Sequence, residues 1–438
     1  MEQMINTPTI AARRLLCALV AAWAGLATAQ TSTNVPTLRD VLQAVNNSAE
    51  VRLARQAQVG AEADVLTADH APLPVLSSKL SQIDLQNGLG AGDWLGRKRI
   101  DKAIGLDWTY ERGDKRAHRT HAAQRTVAAT AAEAQEAVLQ QMLTAQAAYY
   151  DWLAARERVQ LVVSMEEAGR EAVRAAQTRL AAGDLSQQDA SRIEIDAARV
   201  AADKQSAQLD LSRAAIVLSQ VLNRADIAAI PTGNVAWPEL PSATIVAATS
   251  AASNSEFNFV TIEARADVRA ARERIAAAKS SLDGAYALQK ADPTIGISFD
   301  HYPGTSTRLI ELRVQIPLTW GYRYQGEAAR AQSDLKQAEL TEERVLRDAR
   351  TELARLQQEA ASLMQRTASF EAEIVPRATQ VANQAEFAYR RGALSLTDLL
   401  DARRTLRTTQ LDVLAARTDL AKARTALLLR TEPQLLVR

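Results

Sequence analysis

The sequence predicts a mainly helical fold with a smaller β component, built from two copies of one unit. A turn sequence occurs twice, around Gly183 and around Gly392, at an offset of 209 positions in the numbering (392 minus 183). A long stretch with a helical pattern precedes each turn, and a second one follows it. Two short segments of alternating polar and apolar residues, typical of β-strands, precede each long stretch. Repetition on this scale indicates a duplicated architecture.

The N-terminal segment up to residue 29 has the pattern of a secretory signal peptide. Arg13 and Arg14 form its charged region, residues 15–26 its apolar core, and Ala27-Thr28-Ala29 its cleavage pattern. The predicted mature chain therefore starts at Gln30. The alternative, a transmembrane anchor, needs a longer apolar run than this segment has.

The composition excludes several classes of function. Cys17 is the only cysteine and lies in the predicted signal, so the mature chain has no thiol for catalysis or for a thiolate metal site. Without its signal the chain is formally neutral, which gives no reason to expect nucleic acid as a partner. Only 4% of residues are aromatic and alanine is frequent, which favours long, closely packed helices over a compact globular core. The mature sequence has no apolar run long enough for a membrane helix.

The first unit is predicted to span residues 30–222. It begins with a helix from Thr37 to about His70, continues with strands near 75–85 and 100–110, and ends in a helical hairpin over 116–222. The first helix of that hairpin has about 65 residues and would be roughly 100 Å long. A helix of that length needs a partner helix beside it.

An irregular connector is predicted for residues 223–255, and the second unit follows over 256–438. This unit has a leading helix, strands near 294–302 and 308–318, and a helical hairpin over 326–430. Pro376 lies inside the hairpin and predicts a kink, because proline lacks the N–H that a helix interior needs.

Each turn between the long helices carries a helix stop and a helix start. Gly183 is predicted to adopt the left-handed conformation just past a helix end, and Ser186 to cap the next helix, with Asp189 three residues on. Gly392, Ser395 and Asp398 repeat this pattern. The helix after each turn has an apolar seam with a period of seven residues, interrupted in the first copy only by Lys204. The seam residues are Ile193, Ala197, Val200, Lys204, Ala207, Leu211, Ala214 and Leu218, and in the second copy Ala402, Leu406, Thr409, Val413, Ala416, Leu420, Ala423 and Leu427.

The four predicted strands are each about 9–11 residues long, which is the length that crosses a bilayer when tilted. Their alternation fits the wall of a membrane β-barrel and also a soluble antiparallel sheet with one wet face, so it does not separate the two. Four strands in two separate hairpins cannot close a barrel, so membrane placement requires several chains to pool strands, and three chains would give twelve. Aromatic residues near the strand ends would form an interfacial girdle: Trp94, Trp108, Trp320 and Tyr322.

Both turn sequences carry a resemblance to a known family. They are Gly183-Asp184-Leu185-Ser186 and Gly392-Ala393-Leu394-Ser395, the second continuing into Asp398-Leu399-Leu400-Asp401-Ala402-Arg403. With the duplicated layout, the chain resembles the TolC family of outer-membrane efflux ducts over nearly its whole mature length. The resemblance implies a homotrimer with a twelve-stranded β-barrel in outer-membrane lipid and a twelve-helix α-barrel in the periplasm. It also implies a duct without catalysis or cofactor, which works with a periplasmic adaptor (membrane fusion protein) and an inner-membrane pump of the RND type.

Two helix starts resemble the CzcC-like branch of that family, which is associated with heavy-metal cation efflux. Tyr110-Glu111-Arg112-Gly113-Asp114-Lys115-Arg116 resembles the start of the branch's first long helix. Ile316-Pro317-Leu318 with Tyr324-Gln325-Gly326-Glu327 resembles the start of the second, and Ile374-Val375-Pro376 matches a proline found there. Asp114 departs from the branch's glycine, and Thr319-Trp320-Gly321 departs from its apolar and aspartate run. The branch implies divalent heavy-metal cations as substrate, while drugs or a type I secreted polypeptide stay open as cargo.

The resemblance also implies candidate residues for a periplasmic gate. Asp398 and Asp401 match acidic residues that line the family's narrow periplasmic mouth, where three chains would present six carboxylates and attract cations. Asp189 and Tyr389 match residues that hold the mouth shut. Helix capping alone is the alternative role for Asp189 and Asp398. Where the family has a gating arginine this chain has Leu394, and the neighbouring Arg390 or Arg391 is a candidate substitute.

The same turns are candidates for contact with the adaptor, because the family's adaptor meets this end of the tube. An exposed leucine suits such docking, and local turn stabilisation is the alternative role. The adaptor-contact candidates are Gly183, Leu185, Ser186, Gly392, Leu394 and Ser395.

Other functions are weighed against the duct. His118 and His121 share a helix face near Asp114, but structural metal sites need four ligands, so solvent-exposed histidines are the favoured interpretation. A soluble periplasmic coiled-coil adaptor would also have long hairpins, but it would not need two membrane-length strand pairs. An enzyme on a helical scaffold would need a clustered catalytic set, and none of the known motifs is present.

Overall fold

A computed structural model describes residues 35–88, 92, 100–223, 236–240, 255–303 and 305–437. The predicted signal peptide, Trp94 with most of its glycine-rich loop, Gly304 in the second strand turn, and most of the predicted connector lie outside the described residues. The first half contains α1 (Leu38–Ala44), a 3₁₀ turn (Val45–Asn47), α2 (Ala49–Ala68), β1 (Val75–Ser81), β2 (Asp101–Thr109), α3 (Lys115–Ala181) and α4 (Gln187–Leu222). The second half contains α5 (Ser255–Glu263), α6 (Ala266–Ala287), β3 (Thr294–Tyr302), β4 (Ser306–Gln315), α7 (Gln325–Ser369), a π-helical turn (Phe370–Ile374), α8 (Val375–Arg390), α9 (Leu396–Thr431) and α10 (Gln434–Val437).

Two long helical hairpins run side by side. The first is α3 with α4, and the second is α7 and α8 with α9. α3 also packs against α9, so the two hairpins contact each other along their length, while α2 and α6 pack on other sides of α3. None of the helices in the described ranges combines the length and the apolar character needed to cross a bilayer.

The predicted helix from Thr37 to His70 is divided at Ser48. α1 ends in the 3₁₀ turn, and the Ser48 hydroxyl accepts a hydrogen bond from Val51 N at 3.3 Å, which starts α2. Asparagine and serine favour caps and turns over helix interiors, because their side chains compete for backbone hydrogen bonds. Asn46 and Asn47 therefore end the first helix, although the apolar period continues.

The first strand is shorter than predicted, since β1 ends at Ser81 and not near residue 85. Gln82 has a positive φ of 60°, and the Asp84 carboxylate accepts hydrogen bonds from the backbone N–H groups of Gln86 and Asn87 at 2.8 and 2.9 Å. This side-chain turn removes the backbone from the extended conformation.

All four strands belong to one antiparallel sheet in the order β1-β2-β3-β4. The sequence predicted two separate hairpins, but β2 pairs with β3 over Lys102 to Thr109, across almost 200 positions of the chain. The pairing occurs because α3 and α6 pack together and bring the strands that adjoin them side by side. β4 runs from Ser306 to Gln315, ahead of Pro317, which cannot donate to a strand ladder.

The polar residue in the predicted seam is paired. Lys204 on α4 donates to Glu166 on α3 at 2.8 Å, and Arg170 contacts the same carboxylate at 2.6 Å. The Glu166 side chain is only 9% exposed, so both cations compensate a nearly buried charge. Hydrogen bonding to Lys204 lowers the pKa of Glu166, with a further contribution from Arg170.

The predicted kink at Pro376 is a π-helical turn over Phe370–Ile374, immediately before α8. Pro376 has no N–H to donate, and its ring would clash with the carbonyl oxygen of residue 372 in a regular α-helix. The wider π turn relieves that clash while the helix continues.

Residues from both chain ends form the central apolar cluster of the hairpins. α1, α3, α4, α9 and α10 contribute to it, and its large buried side chains include Tyr149, Tyr150 and Trp152. The Tyr150 hydroxyl is 2.9 Å from Thr425 Oγ1, so the buried polar group is satisfied. Burial raises the pKa of Tyr150 to about 12.

Candidate functional site

The two hairpin turns have the same backbone geometry. Gly183 has a φ of 81° and Gly392 a φ of 76°, the left-handed conformation predicted for them. After α3, Asp184 N donates to Arg179 O at 2.8 Å. After α8, Ala393 N donates to Ala388 O at 2.9 Å. These bonds satisfy helix-end carbonyls, so both turns end their helices by a Schellman motif.

The serines after the turns cap helices, and the aspartate three residues on bonds to each of them. Asp189 N donates to Ser186 Oγ at 3.0 Å, and the serine hydroxyl donates back to the Asp189 carboxylate at 2.8 Å. Ser395 and Asp398 make the same pair of bonds at 3.2 and 2.7 Å. The serine hydroxyl is therefore the cap at each turn and the carboxylate holds it in place, so both aspartates belong to the capping interaction that was the alternative to a gate.

Asp401 is the acidic candidate without a capping role. Its side chain is exposed on the first turns of α9 and makes no ion pair within the described part of the chain. In the single chain the Asp401 carboxylate therefore lies in contact with solvent.

The turn leucines are not freely exposed, which corrects the expectation from sequence. Leu185 and Leu394 are half-buried against an apolar cluster that we call the turn cluster. Its buried members are Ala176, Ile193, Ala385, Leu396 and Leu399. The two leucine side chains pack against this cluster because contact with apolar neighbours removes their apolar surface from water. In contrast, a Cβ added at either turn glycine would meet open space, so the tips themselves are accessible.

Within one chain, the described contacts of Tyr389 and of Asp189 do not join the two residues to each other. The ring of Tyr389 lies under the guanidinium of Arg179, with 5.5 Å from Cζ to the ring centroid. The Asp189 carboxylate accepts from the Ser186 hydroxyl at 2.8 Å. Arg390 pairs with Glu386 on its own helix at 2.5 Å, and Arg391 lies over the Phe387 ring at 4.0 Å. Neither arginine bridges the two hairpins in the described contacts.

Other residues join the hairpins at this end, and the sequence analysis missed them. Arg192 Nη1 donates to Thr397 Oγ1 at 3.2 Å, and Arg407 lies 3.8 Å from Asp196. Together with the contact between Arg179 and Tyr389, these contacts link α3 and α4 to α8 and α9. The pairs are about 200 positions apart, and nothing in the local sequence identifies them.

Glu386 is the charged centre of the second hairpin's end. It pairs with Arg390 and also lies 3.4 Å from Arg403 on α9. Partial burial raises the pKa of Glu386, but the hydrogen bond to Arg390 and the charge of Arg403 outweigh burial and hold the pKa below its usual value. A cavity of about 460 Å³ between the hairpins is lined by these groups and by the turn cluster.

One face of the sheet is apolar and bare. A row of cross-strand neighbours runs through Leu76, Leu106, Ile297 and Leu312, which are 71%, 47%, 51% and 75% exposed. Adjacent rows add Ile104, Phe299, Ile310, Trp108, Ile295 and Val314, all about half exposed or more. A continuous apolar face of this kind is unusual on a soluble monomer and marks contact with lipid or with protein.

The opposite face of the sheet is polar. Arg313 pairs with Asp107 at 2.5 Å, reaching from β4 to β2 across Gly296 on β3. A Cβ at Gly296 would collide with the Asp107 carboxylate, so glycine is required for this pair. The sheet thus separates a face suited to lipid from one suited to water.

His118 and His121 belong to no described group of three or more potential metal ligands. Within the ranges that the structure describes, no group of three or more His, Cys, Asp or Glu side chains is arranged to hold a metal ion.

Solved structures share this architecture. A membrane protein from Pseudomonas aeruginosa is similar with a TM-score of 0.75 and 17% identity, covering 90% of this chain and 93% of its own. The outer membrane protein VceC from Vibrio cholerae has a TM-score of 0.70 and 19% identity, with 91% and 96% covered. The open state of the Neisseria gonorrhoeae MtrE outer membrane channel has a TM-score of 0.71 and 16% identity, with 90% and 89% covered.

No protein-family model matches the sequence, and no curated protein sequence matches it either. The predicted fold class is confirmed for the single chain, which is mainly helical with a small antiparallel sheet. The chain has the fold of outer-membrane channel proteins.

Proposed function

We propose that this protein is the outer-membrane exit duct of a tripartite efflux system. The observation that carries the proposal is the bare apolar face of the sheet, on a chain with the fold of outer-membrane channels. Apolar side chains that are half to three-quarters exposed in a single chain lose contact with water when the sheet lies in lipid. The polar face, with its pair between Asp107 and Arg313, would then line a water-filled passage.

The duct is a homotrimer in this proposal. The sheet has free edges at β1 and β4, and unpaired backbone groups are not tolerated in a bilayer. Three copies would pair β4 of one chain with β1 of the next and close twelve strands. The helical hairpins would then enclose a continuation of the passage on the periplasmic side.

The hairpin turns are proposed to form the periplasmic end. Asp401 is the candidate for a carboxylate ring, and Asp398 beside it would both hold the capping Ser395 and contribute to the ring. The contacts of Arg179, Arg192 and Arg407 between the hairpins are the candidates for holding the end closed. The accessible tips at Gly183 and Gly392 suit a periplasmic adaptor, which links the duct to an inner-membrane pump, and we propose a pump of the RND type.

The substrate is proposed to be divalent heavy-metal cations. The resemblance of residues 110–116 and 316–327 to the CzcC-like branch supports this choice. A duct for drugs or for a secreted polypeptide is the alternative with the same fold. A deletion strain separates them: we expect lower tolerance of Zn²⁺, Co²⁺ or Cd²⁺, restored by the intact gene.

Fractionation and conductance test the duct itself. Full-length protein is expected in the outer-membrane fraction, extracted only with detergent, and to give cation-sensitive single-channel currents in planar bilayers. A stable monomer in the aqueous fraction that gives no current would contradict the proposal and favour a soluble coiled-coil adaptor.

A further inference from the structure

A polar cleft lies at the junction of β2 and α3, next to the apolar face of the sheet. Its volume is about 600 Å³, and its lining includes Tyr110, Arg112, Asp114 and Arg116. Tyr110 belongs both to this lining and to the apolar face, where it is 54% exposed and contacts Trp108 edge-to-face at 6.2 Å. The cleft is thus continuous with the surface that the proposed function places in lipid.

The cleft is held in shape by the loop before β3. The Asp292 carboxylate accepts from Arg112 N at 2.8 Å and from Lys115 Nζ at 2.6 Å, so one side chain holds both ends of the junction. Between them, Gly113 has a φ of 78°, and a Cβ there would lie 2.6 Å from Lys290 Cδ. These contacts fix the backbone of the junction, from which the exposed side chains of Arg112 and Asp114 extend.

Most charges around the cleft neutralise each other. Arg116 pairs with Asp69 at 2.9 Å, and Arg119 pairs with Glu111 at 3.0 Å. Two charges are left over: the Arg112 guanidinium and the Asp114 carboxylate make no ion pair within the described residues. The cleft therefore offers one cation and one anion, two positions apart in the sequence, beside aromatic rings.

We propose that this cleft binds the headgroup of a zwitterionic glycerophospholipid, with the phosphate on Arg112 and the primary ammonium on Asp114. Arginine is a preferred partner of phosphate, and basic pockets beside membrane-embedded surfaces bind headgroups. The acyl chains would lie on the apolar face, and Trp108 and Tyr110 would lie at the interface, as such rings prefer. The inference rests on the proposed function, since only a sheet in lipid brings the headgroup layer to this level.

The second junction supports the same depth for the headgroup layer. Before α7, Trp320 and Tyr322 are 82% and 49% exposed, and Arg323 is exposed between Tyr322 and Tyr324. Asp114 and Tyr324 occupy equivalent left-handed positions just before their helices. Aromatic and basic residues therefore recur together at both points where the chain passes from strand to long helix.

Native mass spectrometry of the full-length protein in detergent tests the proposal. The protein is titrated with dioleoyl phosphatidylethanolamine, with dioleoyl phosphatidylglycerol and with dioleoylglycerol, which has no phosphate. We expect Arg112→Ala to weaken binding of both phospholipids by about tenfold. Asp114→Asn should weaken only phosphatidylethanolamine, and asparagine tolerates the left-handed backbone there, so this variant keeps the test valid if Arg112→Ala does not fold. Arg330→Ala, at an exposed arginine on α7, is the matched control.

Binding that neither cleft variant changes would overturn the proposal, as would dioleoylglycerol that binds as tightly as the phospholipids. Planar-bilayer conductance of the same preparations separates this inference from the proposed function. If the wild-type protein conducts and the cleft variants bind lipid as tightly as the wild type, only the headgroup site is overturned. A wild-type protein that never inserts overturns both.

Discussion

Lysine substitutions on the two faces of β4 test the environment of the sheet most directly. Leu312 lies on the apolar face, in the row that crosses all four strands, and is 75% exposed. Glu311 is its immediate neighbour on the polar face and is also exposed. Leu312→Lys and Glu311→Lys therefore place the same side chain at the same depth, on opposite faces.

The expected sizes of the two effects depend on what surrounds the sheet. In water, Leu312→Lys would forfeit only the buried quarter of the leucine, about 0.5 kcal/mol of unfolding free energy. In a bilayer, a lysine near the midplane of a barrel's lipid face costs about 2–4 kcal/mol. Glu311→Lys faces the aqueous side, and a surface change there costs within about 0.5 kcal/mol in either environment.

Refolding into phospholipid vesicles measures the difference. Each variant is unfolded in urea, folded into vesicles and titrated with urea to obtain its unfolding free energy. We expect Leu312→Lys to lose about 2–4 kcal/mol per chain, and Glu311→Lys to lose much less. Equal and small losses in both variants would refute the assignment of the apolar face to lipid.

Three further predictions concern the hairpin end and the π turn. Asp398→Ala combined with Asp401→Ala is expected to weaken cation block of single-channel current, because the variant removes carboxylates from the proposed ring. Glu386→Gln is expected to remove an acid-sensitive part of the unfolding free energy. The pKa of Glu386 is lowered in the folded state, so the ionised carboxylate stabilises the fold at pH values above its unfolded-state pKa. This stabilisation is lost as pH falls through its folded-state pKa. Pro376→Ala is expected to restore regular helical hydrogen bonding around the π turn, stabilising that region by about 1–3 kcal/mol and slowing amide exchange there.

The cation-block experiment has a control in the duplication itself. Asp189 holds the capping Ser186 of α4 by the same bond with which Asp398 holds Ser395 of α9, so Asp189→Ala removes an equivalent contact at a cap but no proposed ring member. Weaker block in Asp189→Ala, or unchanged block in the double variant, would contradict the ring.

The acid experiment is followed by hydrogen exchange at the end of α8 and the start of α9 between about pH 3 and pH 6, a window chosen around the usual glutamate pKa. The wild type should open more readily as pH falls below that usual value, and Glu386→Gln should open at all pH values alike. Identical pH profiles would contradict a role for the lowered pKa.

For Pro376→Ala, exchange that is unchanged or faster over Phe370–Ile374 would mean that proline does not cause the π turn.

Local chemistry in the sequence was enough to predict the long helices, the strands and the two hairpin turns of one chain. The two Gly-x-x-Ser turns predicted left-handed glycines and serine caps, because these conformations depend only on the residues within the turn and its hydrogen bonds. Alternation predicted the strands, and the seven-residue period predicted the seam that packs α4 against α3. The sequence predicted one helix where the chain is divided near Asn46, and it predicted a first strand that runs past its observed end at Ser81, before the Asp84 turn. At both places polar side chains compete for backbone hydrogen bonds.

Contacts between distant segments were decided only by the tertiary structure. The pairing of β2 with β3, the pair between Lys204 and Glu166, and the bonds of Arg192 and Arg407 between hairpins all join residues that the sequence keeps far apart. A charged residue on a helix has the same local signature whether it faces solvent or a partner on another helix. Its role depends on which helix packs beside it, and that follows from the burial of apolar surface over the whole chain.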